Sequence, residues 1–61
     1  MFRYEIWYKG RCFYEGDGFY TYDEAVDTAA SAENRTIEIL KSEGTWQGET
    51  ILDLDARIID V

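Results

Sequence analysis

The chain has 61 residues, 13 acidic against 6 basic, a formal net charge of −7, one cysteine and no histidine. A chain of this size makes one domain that buries only about 60% of its unfolded surface, for a net stability of roughly 3–5 kcal/mol. An internal disulfide and the common zinc cages are excluded, which leaves dense aromatic packing or self-association as the staple, and the aromatic residues, 16% of the chain, offer the first.

Phe2 to Lys9 alternates: Phe2, Tyr4, Ile6 and Tyr8 fall on one face, and Arg3, Glu5, Trp7 and Lys9 on the other. That period predicts a half-buried strand. Lys9-Gly10 supplies a turn, and Arg11 to Glu15 resumes as a second strand with Cys12 and Tyr14 inward and Phe13 outward. Gly16-Asp17-Gly18 then bulges or breaks the strand. An anion nest is the other use of such a stretch, but Asp17 would repel the anion.

Tyr20 to Gly44 reads as one helix. Thr21 and Glu24 have the spacing of a capping box, Asp23 and Glu24 suit the positive end of the helix dipole, Lys41 suits the negative end, and Gly44 is a natural stop. At about 100° per residue, Tyr22, Ala25, Val26, Ala29, Ala30, Ala32, Ile37, Ile39 and Leu40 share one side. Asp23, Glu24, Asp27, Ser31, Asn34, Arg35, Glu38, Lys41 and Ser42 share the other. A rival reading makes Thr36 to Lys41 a strand, but it would send Leu40 into water beside Glu38. Glu33 projects into the apolar arc. It lies at the margin of the packed face, pairs with Arg3, Arg11 or Arg57, or marks a pocket where burial raises its pKa.

Thr45 to Glu49 is a loop around Trp46, whose role is open between capping the core and anchoring a partner. Thr50 to Val61 alternates again, with Leu52, Leu54, Ala56 and Ile58 on one face and Ile51, Asp53, Asp55, Arg57 and Ile59 on the other. The whole is a single small α+β domain over residues 1–61, in the order β-β-α-β. A right-handed crossover sets the third strand beside the first, giving a three-stranded antiparallel or mixed sheet of order 2-1-3. The helix is expected over the face of Tyr4, Ile6, Tyr8, Cys12, Tyr14, Leu52, Leu54, Ala56 and Ile58.

Two surfaces are candidates for partner binding. The open sheet face places Trp7, Phe13, Ile51 and Ile59 together within a charged rim, although cross-strand stabilisation alone explains the same residues. The acidic side of the helix offers Asp23, Glu24, Asp27 and Glu38. Excess negative charge repels phosphate and anionic membranes and favours a basic or nucleic-acid-binding protein; solubility accounts for the same excess. Stacking of single-stranded RNA on the sheet is disfavoured, because Glu5, Glu15, Asp53 and Asp55 occupy that face without a basic track.

Asp53 and Asp55, about 7 Å apart on a strand, have oxygen ligands for a divalent cation but no loop to wrap it. Ion pairs with Arg3 and Arg57 are the favoured use, and no metal or cofactor is expected. Cys12 has no histidine to activate it, so the chain reads as no enzyme. Met1 to Glu5 lacks the apolar stretch of a signal peptide, no run is long enough to span a bilayer, and a lone thiol points to the cytoplasm.

A hairpin running into Thr21-Tyr22-Asp23-Glu24-Ala25 and closing on one strand is similar in layout to very small bacteriophage proteins. The phage-encoded inhibitors of host RNA polymerase, β-β-α-β domains with a Thr-x-x-Glu-Ala helix start, are of this kind. Thr21, Glu24, Ala25 and the order of elements carry the likeness, and they are structural residues. The resemblance implies a class of small, acidic proteins that occlude a host enzyme, in some cases by imitating the charge of DNA. The expected function is therefore an acidic interaction module or inhibitor, phage or mobile-element encoded. The alternative is a structural domain that forms a homodimer through its open sheet and has no separate ligand.

Overall fold

The alternating stretches at the start of the chain form a β-hairpin in the computed structural model, which describes all 61 residues. Strand β1 is Phe2–Tyr8 and β2 is Arg11–Phe19. Lys9 has φ 48° and Gly10 φ 77°, the paired positive values of a two-residue turn whose twist matches the strands it joins. Register along the hairpin slips twice. Ile6 pairs with Tyr14 but Trp7 with Cys12, leaving Phe13 as an extra residue; Tyr4 pairs with Gly16 but Phe2 with Phe19, leaving another at Asp17-Gly18. Both are β-bulges.

Helix α1 is Tyr22–Glu43, a single 22-residue element. Its start follows from Thr21, whose extended backbone and side-chain oxygen cap the Glu24 N–H at 3.2 Å. Its end follows from Gly44, at φ 76°, where the chain turns back and the amides of Thr45 and Trp46 close on the Leu40 carbonyl at 3.0 and 3.1 Å. The buried stripe is Ala25, Ala29, Ala32, Thr36 and Leu40. Small side chains along it let the helix axis approach a sheet whose own residues are large. Thr36 fits because its hydroxyl turns back to the Ala32 carbonyl at 2.8 Å, leaving its methyl group for the core.

Residues Ile51–Asp53 form a short 3-10 turn, η1, and the last strand, β3, is Asp55–Asp60. The expected strand from Thr50 therefore starts five residues later. Thr50 and Asp53 form a reciprocal capping box, the Asp53 carboxylate accepting from the Thr50 N–H at 2.9 Å, and this local bonding outcompetes a strand. The sheet has the order β2-β1-β3, and both pairings are antiparallel. Expected order and layout are both present.

Strand β1 is central and donates the fully buried Ile6 and the nearly buried Tyr4 to a core completed by Ala29, Ala32 and Leu54. Tyr8, Tyr14, Phe19, Ile37 and Ile58 pack around it. Of the residues assigned to the covered face, Leu52, carried on η1, is 90% exposed, and Ala56 keeps its place opposite Ile6 but is exposed at the sheet edge. Val26 and Ala30 are likewise exposed on the flank of the helix.

Candidate functional site

The open face of the sheet is organised around Trp7. Its indole N–H donates to Glu5 Oε1 at 3.0 Å, and the Arg57 guanidinium lies 4.9 Å from its ring centroid. Arg57 pairs with Asp55 at 2.8 Å, while Arg3 Nη2 bridges Glu5 at 3.0 Å and Glu15 at 3.2 Å. Charge on this face is thus consumed within it, and Trp7 is half-buried beneath the network. Ile59 pairs with Arg3 across the β1–β3 ladder and belongs to the same face.

Two expected members of this patch lie elsewhere. The bulge at Phe13 flips the alternation of β2, as any one-residue slip does. Arg11 is then paired with Tyr8 and reaches Glu43 at the end of α1 at 3.1 Å, while Cys12 takes the position opposite Trp7. Phe13 lies under the Arg11 guanidinium, 4.2 Å from ring centroid to carbon, and borders a shallow hollow with Leu40, Glu43 and Thr45. The inward place expected for Cys12 and the outward place expected for Phe13 are therefore exchanged. Ile51 sits on η1 beside Asn34, Ile37 and Lys41 of the helix, away from the sheet face. The expected partner patch of Trp7, Phe13, Ile51 and Ile59 is reduced to Trp7 and Ile59.

The acidic helix residues lie where the helical spacing places them. Asp23, Glu24, Asp27 and Glu38 are all exposed. Glu38 is engaged, 3.8 Å from Lys41, but Asp23, Glu24 and Asp27 carry neither an ion pair nor a side-chain hydrogen bond. Asp60 and Asp17 join them at this end of the molecule. Phe2 pairs with both Phe19 and Asp60, and its ring meets Tyr22 at the helix start, 5.9 Å away and edge-on. Exposed side chains of Tyr20, Tyr22 and Val26 lie among these carboxylates.

The opposite end is different in kind. Each carboxylate there has a partner: Glu43 has Arg11, Asp55 has Arg57, Asp53 has the Thr50 N–H, and Glu49 has the Tyr8 hydroxyl at 3.1 Å and the Gln47 N–H. Burial opposes ionisation of Glu49, but these donors outweigh it and hold the carboxyl below its ordinary value. Tyr8 is pushed the other way, by burial first and then by its bond to Glu49. Trp46 closes this end as a cap on the helix terminus, its indole N–H on the Glu49 carbonyl at 2.9 Å and its ring 4.9 Å from Lys41 Nζ.

Glu33, on the flank of α1, has no cationic partner, since Arg3, Arg11 and Arg57 are all committed elsewhere. Burial alone raises its pKa above the ordinary value. The two aspartates considered for a cation are divided, Asp53 capping η1 and Asp55 pairing within β3, and no group of three potential ligands gathers anywhere. No helix is long and apolar enough to cross a membrane. No protein-family model, curated protein or solved structure matches this chain, and its own chemistry is the ground for any functional reading.

Proposed function

We propose that this chain is a protein-interaction module that presents its acidic end to a basic, nucleic-acid-binding surface of another protein and occludes it. The observation that carries this reading is the segregation of charge. Carboxylates near the hairpin turn and the helix C-terminus are engaged locally, by a cation or by hydrogen-bond donors, whereas Asp17, Asp23, Glu24, Asp27 and Asp60 at the other end are left free. An acidic surface kept only for solubility has no reason to be sorted in this way.

The spacing suits imitation of a nucleic-acid backbone. Asp23 and Asp27, four residues apart on a helix, are separated by about 6 Å along its axis. Two phosphate steps along one strand of duplex DNA cover about 7 Å. Exposed Tyr20 and Tyr22 add apolar contact beside the charges, of the sort that concentrates binding energy at protein interfaces. An inhibitor encoded by a phage or mobile element is the biological role that fits such a surface on so small a domain.

The test is competition with DNA. A fluorescent duplex bound to a basic DNA-binding protein is titrated with the chain at low and at high salt. Displacement should be strong at low salt and fall steeply as salt is added. Asp23→Asn, Glu24→Gln and Asp27→Asn combined should abolish it, and Glu38→Gln alone should not. Displacement that ignores salt, or that survives the triple substitution, would overturn the proposal.

A further inference from the structure

Strand β3 ends the sheet, so half of its backbone groups meet nothing within the fold. Which half is fixed by the chain ends. The Val61 N–H donates to the Met1 carbonyl at 2.9 Å and the Met1 amino group donates back to the Val61 carbonyl at 3.3 Å, making this a hydrogen-bonded pair. By the alternation of an antiparallel ladder, Arg3–Ile59, Glu5–Arg57 and Trp7–Asp55 are hydrogen-bonded pairs too. The N–H and C=O of Ala56, Ile58 and Asp60 therefore point outward, at intervals of about 7 Å. None of them bonds to a turn, loop or cap.

The other edge of the sheet is not equivalent. The two bulges interrupt β2, at Phe13 and at Asp17-Gly18, so its outward groups do not form an even row. Bulges of this kind are a standard defence of an edge against pairing. Strand β3 has none: its register against β1 is unbroken from Asp55 to Asp60, and there is no proline in the chain. Its side chains are selective instead. Asp55 and Asp60 stand at its two ends, and the intervening Arg57 is held by Asp55. Leu52, just before the strand on η1, is 90% exposed.

We propose that the free edge of β3 is a strand-addition site for an extended, basic segment of a partner protein. The segment would be extended and basic, with a cationic residue meeting Asp60, the carboxylate on this strand that no arginine or lysine holds. Main-chain bonds to Ala56, Ile58 and Asp60 supply affinity, and Asp60 together with the net charge of −7 supplies selection. A second copy of this chain is the poorer occupant, because each copy carries a charge of −7. This inference rests on the reading of the protein as a binder of basic partners, and it names a different element of the surface as the contact.

The probe is a fluorescent nine-residue peptide of alternating lysine and valine, followed by anisotropy and by amide exchange of the protein. On binding, the amides of Ala56, Ile58 and Asp60 should gain protection while that of Glu15, on the other edge, does not. Ala56→Pro removes one outward donor at an exposed position without touching the ladder to β1, and should weaken binding at least about tenfold. Should that variant fold poorly, peptides methylated on alternate amide nitrogens test the same point with the unaltered protein. One set of methyl groups should abolish binding and the other should leave it intact.

Equal binding by both methylated peptides, with shifts confined to Asp23, Glu24 and Asp27, would overturn strand addition while supporting the acidic-end reading. No binding even at low salt would overturn both. Protection of the three amides that rises with protein concentration, without peptide, would make a second copy the occupant and overturn the proposal.

Discussion

Replacing Gly16 with alanine should destabilise the fold by about 0.5–2 kcal/mol, although the new group is a single methyl on a half-buried strand. A Cβ at this position would lie 2.5 Å from Tyr4 Cε2, 3.1 Å from Cζ and 3.3 Å from Cδ2. Carbon atoms in contact rest about 3.5–4.0 Å apart, so the ring must withdraw by about 1 Å. It has little room, being 7% exposed and packed against Phe19 at a centroid distance of 5.9 Å. Overpacking of this kind costs about 1–3 kcal/mol. Against it stands the gain of about 0.4–1 kcal/mol from a less flexible unfolded chain, available because Gly16 does not occupy left-handed backbone. Urea unfolding followed by tryptophan fluorescence measures the difference, and the midpoint should fall without a change in slope. In a Tyr4→Leu background the penalty of Gly16→Ala should vanish, since the clash is with the ring. A stabilised Gly16→Ala variant, or a penalty unchanged by Tyr4→Leu, would refute the packing described for the core.

Two further substitutions probe the ends of the helix and its flank. Glu33→Gln should stabilise the protein at neutral pH by about 0.5 kcal/mol, the scale of a partly exposed site. Because burial raises the folded-state pKa, the native form of Glu33 is best tolerated below its ordinary value of 4.5, and that stability is lost as pH rises through the folded value. The gap between variant and parent should therefore close in acid, and a gap independent of pH would contradict the assignment. Trp46→Ala removes the bond to the Glu49 carbonyl and the stack with Lys41, and should cost about 1–2 kcal/mol in thermal unfolding. Trp46→Phe, which keeps a ring for Lys41, should recover part of the loss in Tm.

Much of the fold is legible in the sequence because the relevant signals are local. Alternation marks Phe2 to Tyr8 as a strand, Lys9-Gly10 dictates the turn, and Thr21 and Gly44 bound the helix to within a residue. Handedness of the crossover is enough to order the strands. What escapes is whatever depends on an added residue or a close approach. Period-two reading cannot see that Phe13 is a bulge, and every side-chain direction between Arg11 and Phe13 follows from that single slip. Thr36 falls in neither set of the helical reading, because its burial depends on how near an alanine stripe lets the helix come. The 3-10 turn does leave a signal, a Thr-x-x-Asp cap at Thr50, which the alternation around it conceals. For the functional surfaces, the exposure of Asp23, Glu24 and Asp27 follows from helical spacing. Their lack of partners does not, because it depends on where each arginine goes.

The strand that anchors the sheet, β1, has one neighbour close to it along the chain and one far from it. Tyr4 pairs with Ile58 and Ile6 with Ala56, so closing the β1–β3 ladder joins segments about fifty residues apart. Local contacts form the hairpin and the helix early, but loop closure over nearly the whole chain must precede the pairing that covers Ile6 from its second side. A nascent chain still lacking β3 would hold an unfinished sheet, with the edge of β1 exposed where Asp55 to Asp60 later lie. Folding is therefore expected to complete only once β3 is available to pair with β1. Shortening the chain by its last strand should abolish the structure as a whole, since no smaller part of it encloses the core.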